Sequence, residues 1–181
     1  MRFRRTRKGT EATLDDVEAG VLAALVGELL ELLGDSDAVP DDPIEAMVGL
    51  SSEDVDTPDD AVLARLLPDA YGGTTPDHAQ AAREFRRYTE QDLRAAKRAA
   101  ASALLARLPQ GGGTVLLDRD DADSWLGCLN DLRLALGTRL GVTEDTDLDA
   151  GAGPRGEGLR LYGWLGWVQE SLLRCLSPRP S

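Results

Sequence analysis

The sequence contains few of the residues that most often build metal and nucleophilic sites. Its 181 residues include one histidine, His78, and two cysteines, Cys128 and Cys175. No CxxC pair, no HExxH and no other spacing typical of a zinc ligand set is present. The triple glycine at 111–113 lacks the Gly-Lys-Ser/Thr of a phosphate-binding loop. The sequence therefore predicts no metal site, no cofactor and no catalytic residues, and it favours a function other than that of an enzyme.

Long apolar runs and an excess of positive charge are also missing. Hydrophobic residues make up 42% of the chain, but no run approaches the roughly 18 to 20 residues that a membrane span needs. The basic N-terminus is not followed by the apolar segment of a signal peptide, so we expect a cytoplasmic protein. The net charge of −12 opposes binding to phosphate backbones except through a local basic patch.

Helical periodicity dominates what is present. The pattern predicts a mainly α fold, with one domain over residues 1–181 that forms a bundle of five or six helices. We expect the helices at about 14–33, from Thr57 to Pro68, at 76–108, from Asp120 to about 141, and at 159–176. Residues 1–13 favour a small hairpin around Lys8 and Gly9, and 114–118 is a candidate strand that could extend it to a three-stranded sheet.

Two segments are predicted to be loops. Residues 35–60 hold ten acidic residues and no basic one, a composition typical of a solvated acidic region. The segment does not fit a calcium-binding EF-hand, because Val39 and Pro40 stand where an oxygen ligand and a glycine are required. Residues 143–158, rich in Gly, Asp and Thr, are predicted to be a flexible loop.

The segment 125–142 places four strongly polar residues, Asn130, Asp131, Arg133 and Arg139, in an apolar helical pattern. On a helix, both arginines flank the apolar stripe, so we expect them to be partly buried and paired. The candidate carboxylate partners are Glu84, Glu90 and Asp69. Two interpretations follow: a structural clamp between helices, or the anion site of a ligand-sensing protein at Arg133 and Arg139. A catalytic pair of Asp131 with Arg133 is a third and weaker one.

Helix 76–108 carries a basic stripe on one side. The stripe predicts an interaction face, made of Arg83, Arg86, Arg87, Arg94, Lys97 and Arg98. A solvated amphipathic face is the ordinary interpretation. DNA binding through the same residues is an alternative, although no helix-turn-helix pattern is evident.

Both cysteines lie in apolar helical patterns, and buried thiols are the ordinary interpretation. The alternative is a redox pair between Cys128 and Cys175, which requires Cα atoms within about 7 Å of each other.

Three motifs resemble those of an actinobacterial family of domains of unknown function. They are RLLPDAY (65–71), EFRRYTEQDLRAAK (84–97) and WLGCLNDLRLALGTRLGV (125–142). Members of that family are commonly encoded beside the ClpS proteolytic adaptor. The resemblance implies a small, mainly helical cytoplasmic protein, and some members are labelled transcriptional or oxidative-stress regulators. Some relatives are thought to respond to oxidation through cysteines near the N-terminus, whereas residues 2–9 of this chain contain none.

These observations favour a non-enzymatic regulatory protein that acts by protein–protein interaction in transcription or stress control. By analogy with the regulator label alone, a sigma factor or RNA polymerase is the expected kind of partner. A DNA-binding regulator is the alternative, which the overall negative charge opposes. The long apolar first helix and the tryptophans near the C-terminus favour a homodimer, and no membrane association is expected.

Overall fold

The computed structural model describes residues 1–34, 60–68, 76–148 and 151–177, and for residues 76–88 it describes the backbone only. Three strands occur in these ranges: β1 (Arg2–Thr6), β2 (Gly9–Leu14) and β3 (Gly113–Leu117). Five helices accompany them: α1 (Asp16–Leu33), α2 (Ala61–Leu66), α3 (Pro76–Arg107), α4 (Arg119–Leu140) and α5 (Pro154–Leu176). The predicted mainly α fold with a small sheet is confirmed. Among the helices of these ranges, none is both long and apolar enough to cross a membrane.

The strands form one antiparallel sheet in the order β1-β2-β3. A two-residue turn, Arg7 and Lys8, joins β1 to β2, and β3 pairs with the other edge of β2, as the sequence indicated. Side chains of a strand alternate between the two faces. The inner face carries the buried residues Thr10, Ala12 and Leu117 and packs against the helices, whereas the outer face is open to solvent.

Aspartate side chains determine where three helices begin. Asp15 and Asp118 each cap a helix, α1 and α4, and form a reciprocal capping box with the acidic residue three positions on. Asp60 accepts hydrogen bonds from two backbone N–H groups at the start of α2. The predicted cap of this short helix at Thr57 is therefore wrong; Thr57 and Pro58 themselves lie outside the described residues.

The last helix begins earlier than predicted, and the predicted flexible loop at 143–158 ends too late. α5 starts at Pro154, which follows the N-cap Gly153 and occupies the first turn, where proline's missing N–H causes no loss. The glycines at the start of α5 made this part of the sequence resemble a loop. Gly156 is instead buried, and Gly158 packs against Leu140 of α4.

The core is one cluster of apolar side chains with α4 at its centre. Trp125 is fully buried, and the ring of Phe3 meets it edge to face at 6.5 Å. α3 and α5 pack on α4, and α1 contributes one buried face, made of Ala19, Leu22, Val26, Leu29 and Leu33.

Two glycines of α4, one turn apart, have different roles. At Gly137 an added Cβ would lie 3.0 Å from the ring of Tyr162 of α5, so a side chain there would require that ring to shift by a few tenths of an ångström. Gly141 instead ends α4 in the left-handed conformation, with φ of 64°. The close approach therefore depends on Gly137 and, from the other helix, on Gly158.

Candidate functional site

The four polar residues of α4 do not converge on one pocket. Asn130 is exposed, Asp131 is buried, Arg133 is partly buried and Arg139 is exposed. Each of the three charged residues contacts a different helix. The arrangement holds α4 to its neighbours, and each contact has its own electrostatics.

Asp131 is the buried charge of this helix. Lys97 Nζ of α3 donates to Asp131 Oδ1 at 2.6 Å, and the two side chains are 16% and 5% exposed. Burial raises the pKa of Asp131, while the hydrogen bond and the charge of Lys97 act in the opposite direction. The pair therefore links α3 to α4 through a carboxylate that depends on its lysine.

Arg133 is held by neutral groups. Its Nη1 donates to Gln169 Oε1 at 2.7 Å and its Nη2 to the hydroxyl of Tyr162 at 3.4 Å, with the guanidinium 5.3 Å from the centre of that ring. Of the carboxylates expected to pair with it, Glu90 instead binds Arg94 at 2.8 Å. The side chain of Glu84 and all of Asp69 lie outside the described residues. Arg133 thus joins α4 to α5 by contacts to an amide and a phenol.

Arg139 was expected to be partly buried, and this prediction is wrong. Its Nη1 lies 3.2 Å from Glu28 Oε2 of α1, and the two side chains are 50% and 60% exposed. Arg139 lies in the last turn of α4, and its contact with α1 leaves half of its side chain exposed. The cavity beside it measures about 50 Å³ and is lined mostly by leucines together with Glu28. A carboxylate at its rim disfavours an anionic ligand.

Of the three described side chains of the basic stripe on α3, Lys97 contacts α4 and the other two contact α1. Arg94 donates to the backbone oxygen of Leu33 at 2.7 Å, and Arg98 donates to that of Leu30 at 3.0 Å and also to that of Gly34. These carbonyls belong to the end of α1, where the helix dipole is negative and where α1 itself has no basic residue. Arg83, Arg86 and Arg87 lie earlier on α3, in the part where only the backbone is described.

The two cysteines are free thiols in different surroundings. Cys128 is completely buried, and burial together with the charge of Asp131 raises its pKa to about 12. Cys175 is partly buried and lines a groove of about 200 Å³ between the hairpin end and the start of α4, together with Arg5 and Arg119. Cys128 is therefore a poor nucleophile, whereas Cys175 has access to solvent.

The register of α4 against α5 offsets the two cysteines along the helices. Gly137 lies beside Tyr162, and Leu140 beside Gly158, so the helices run antiparallel and Cys128 is level with about Ser171. Cys175 is four residues further along α5, which is roughly 6 Å of helix. Both thiols are free in this structure, and a redox pair between them stays a prediction.

The hairpin presents a set of cations that the sequence interpretation did not select as a site. Five of the first eight residues are basic, and all five side chains are exposed: Arg2, Arg4, Arg5, Arg7 and Lys8. The cluster was visible in the sequence next to the predicted hairpin. Combining these two features would have indicated an exposed basic surface, since a two-stranded ribbon of this length cannot bury five charges.

The fold and the contacts of α4 define a class of protein: a helical bundle with a small open sheet, in which buried charges join helices to one another. Within the described ranges, no three side chains of His, Cys, Asp or Glu are grouped as metal ligands. The chain belongs to the family described as a domain of unknown function, DUF2017, whose model matches residues 1–176.

Relatives with assigned names occur in mycobacteria. The chain is 34% identical over 184 residues to a protein of Mycobacterium tuberculosis named oxidative stress regulator AosR. This match covers 94% of the chain and 84% of the relative. It is also 34% identical over 170 residues to a Mycobacterium leprae protein named putative oxidative stress regulator AosR, covering 88% and 78% respectively. No solved structure matches the chain.

Proposed function

We propose that this protein is a non-catalytic regulator of the response to oxidative stress and that it acts by binding another protein. The observation that carries the proposal is the 34% identity over 94% of the chain to a protein named as an oxidative stress regulator. An alignment of this extent includes both the sheet and the helical bundle, so the relative shares the elements that would perform the regulation.

The contacts of α3 and α4 support binding of a protein over the other two candidate functions. A sensor of anions would need Arg133 and Arg139 to face one cavity, but they contact different helices. A DNA-binding helix would need free cations on α3. Arg94 and Arg98 already donate to backbone oxygens of α1, and Lys97 already donates to Asp131 of α4. Among the described residues, the outer face of the sheet with its basic hairpin is exposed, and the side chains of Arg83, Arg86 and Arg87 lie outside that description.

Deletion of the gene tests the regulatory role. Cells lacking the gene and cells complemented with it are exposed to hydrogen peroxide, and their transcripts are compared by sequencing. We expect the deletion to change the induction of peroxide-responsive transcripts and complementation to restore it. Identical transcript profiles in the two strains would contradict the regulatory role.

Crosslinking in living cells tests the mode of action. A tagged copy is crosslinked before and after peroxide treatment and purified under denaturing conditions, and the attached proteins are identified by mass spectrometry. We expect one protein of the transcription machinery to be enriched in a peroxide-dependent manner. Recovery of DNA fragments without an attached protein would favour the DNA-binding alternative.

A further inference from the structure

One face of the sheet has no helix of the described residues packed on it. Pairing across the strands places Arg2, Thr13 and Thr114 in one row of that face, and Arg4, Glu11 and Leu116 in the next. Five of these six residues are exposed, including Leu116 at 42%. The face is therefore a polar surface with one apolar side chain, bounded on one side by β1.

The outer edge of β1 has no strand beside it among the described residues. In an antiparallel sheet, every second residue of such an edge strand directs its N–H and C=O away from the sheet. These groups are able to pair with another extended chain. β1 is five residues long, which gives about 17 Å of edge and is enough for a short strand.

The side chains around this edge are mainly positive, whereas the rest of the chain has a net negative charge. Glu11 pairs with Arg4, its Oε2 lying 3.1 Å from the arginine Nε. No other carboxylate of the described residues forms an ion pair with the hairpin cations, which are Arg2, Arg4, Arg5, Arg7 and Lys8. Apart from these five, the chain has 15 basic and 32 acidic residues, a net charge of −17. An acidic partner is therefore attracted to the hairpin and repelled by the remaining surface.

We infer that the outer edge of β1 is a docking site for an acidic, extended segment of a partner protein, which adds to the sheet as a fourth strand. The inference rests on the proposed function and names the surface and the kind of partner. Backbone hydrogen bonds supply affinity, and arginines on both faces of β1 select carboxylates. A short peptide suits the site better than a nucleic acid does, because a long polyanion also meets the negative remainder of the protein.

Peptide binding to the full chain tests the inference. The probe is a fluorescein-labelled peptide of about eight alternating Glu and Thr residues, a length typical of one strand. The same peptide with Gln in place of Glu is the charge control, and binding is followed by fluorescence anisotropy at low and high salt. We expect the Glu peptide to bind at least about tenfold more tightly than the Gln peptide and to weaken with salt.

Two double variants separate local from global charge. The site variant combines Arg2→Glu and Arg7→Glu, and the matched control combines Arg155→Glu and Arg160→Glu on the exposed side of α5. Both change the net charge equally. We expect the site variant to bind the Glu peptide at least about tenfold more weakly and the control to stay within about twofold of the parent. Equal loss in both variants would overturn the inference.

Amide hydrogen exchange by NMR tests the strand pairing itself. We expect the bound Glu peptide to slow exchange at alternate residues of β1 while the middle of α5 is unaffected. Peptide binding without added protection in β1 would overturn pairing along the edge.

Other occupants give distinct results. Tighter binding of a short random DNA duplex than of the Glu peptide would overturn the choice of a protein partner. Self-association that the site variant abolishes would identify a second copy as the occupant and would equally overturn the inference.

Failure here is distinguishable from failure of the proposed function. If the peptide does not bind while gene deletion still changes the peroxide response, the docking site is wrong and the regulatory role stands. If the peptide binds at β1 but deletion has no effect, the docking site stands and the assigned process is wrong.

Discussion

Replacing Lys97 by methionine removes the partner of the buried Asp131 and keeps the length of the aliphatic stem. Removing one member of a buried ion pair typically destabilises a protein by about 3–5 kcal/mol. The lysine side chain is 16% exposed, so some water reaches the pair, and we expect the lower end, about 3 kcal/mol at neutral pH. For a chain of this size that corresponds to a melting temperature lower by roughly 6–12 °C.

The loss should depend on pH in a defined direction. Burial raises the pKa of Asp131 and Lys97 opposes that rise, so the Lys97→Met variant has an Asp131 with a still higher pKa. A group whose folded pKa is raised binds its proton more tightly in the folded state, and stability therefore falls as pH rises from the unfolded pKa through the folded one. The difference in the free energy of unfolding between parent and Lys97→Met should be largest at pH values above the folded pKa of Asp131. It should shrink as pH falls toward the unfolded pKa of that carboxyl.

Thermal unfolding followed by circular dichroism across pH measures both effects. The double variant Lys97→Met with Asp131→Leu removes both charges and should regain most of the lost stability. Arg139→Met, which breaks an ion pair with both side chains at least half exposed, should change the unfolding free energy by less than about 1 kcal/mol. The reasoning is refuted if Lys97→Met melts like the parent at neutral pH, or if the double variant is no more stable than the single one.

Three further predictions concern single positions. Arg133→Ala should destabilise by about 2 kcal/mol in chemical denaturation, because a charged donor loses its hydrogen bonds; an unchanged midpoint would exclude a clamp. A thiol reagent should modify Cys175 in the folded protein and Cys128 only after unfolding, because Cys128 is buried with a pKa of about 12; fast labelling that survives Cys175→Ser would contradict this. Gly112→Ala should destabilise by more than about 2 kcal/mol, since its Cβ would lie 2.7 Å from backbone atoms at φ of +81°. The control Gly27→Ala, with nothing within 4 Å, should stabilise by up to about 1 kcal/mol; equal melting temperatures of the two variants would contradict the packing argument.

Local signals in the sequence were sufficient to predict which helices and strands the described part of the chain contains. The hairpin turn and the strand at 113–117 could be predicted because turn and strand signals lie within a few residues of each other. Helix starts were right to within about two residues for α1 and α4, which follow the caps Asp15 and Asp118, but the start of α2 was placed at Thr57 although Asp60 caps it. They were wrong where proline and glycine at the start of α5 were interpreted as loop residues, although proline also suits a first helical turn.

The burial of individual charges could not be predicted in the same way. A helical wheel gives the direction of a side chain but not what the fold places opposite it. Asp131 is buried because α3 passes over it with Lys97, a residue 34 positions earlier. Arg139 has the same helical pattern around it, yet it is exposed because α4 ends one residue later. Tertiary neighbours therefore decide which charge is costly to bury.

The two basic regions of the chain show why charge density in the sequence is a poor guide to which cations are exposed. The cations at 94 and 98 of α3 look like an interaction face in the sequence, but they meet the carbonyl end of α1, which lacks a cation of its own. The hairpin cations are as dense in the sequence and meet solvent on both sides of a ribbon. A helix end is a fixed partial charge that an arginine can satisfy, whereas an edge strand offers backbone groups that are able to pair with another chain. The same residue types therefore bind backbone oxygens of the fold on α3 and are exposed to solvent on β1.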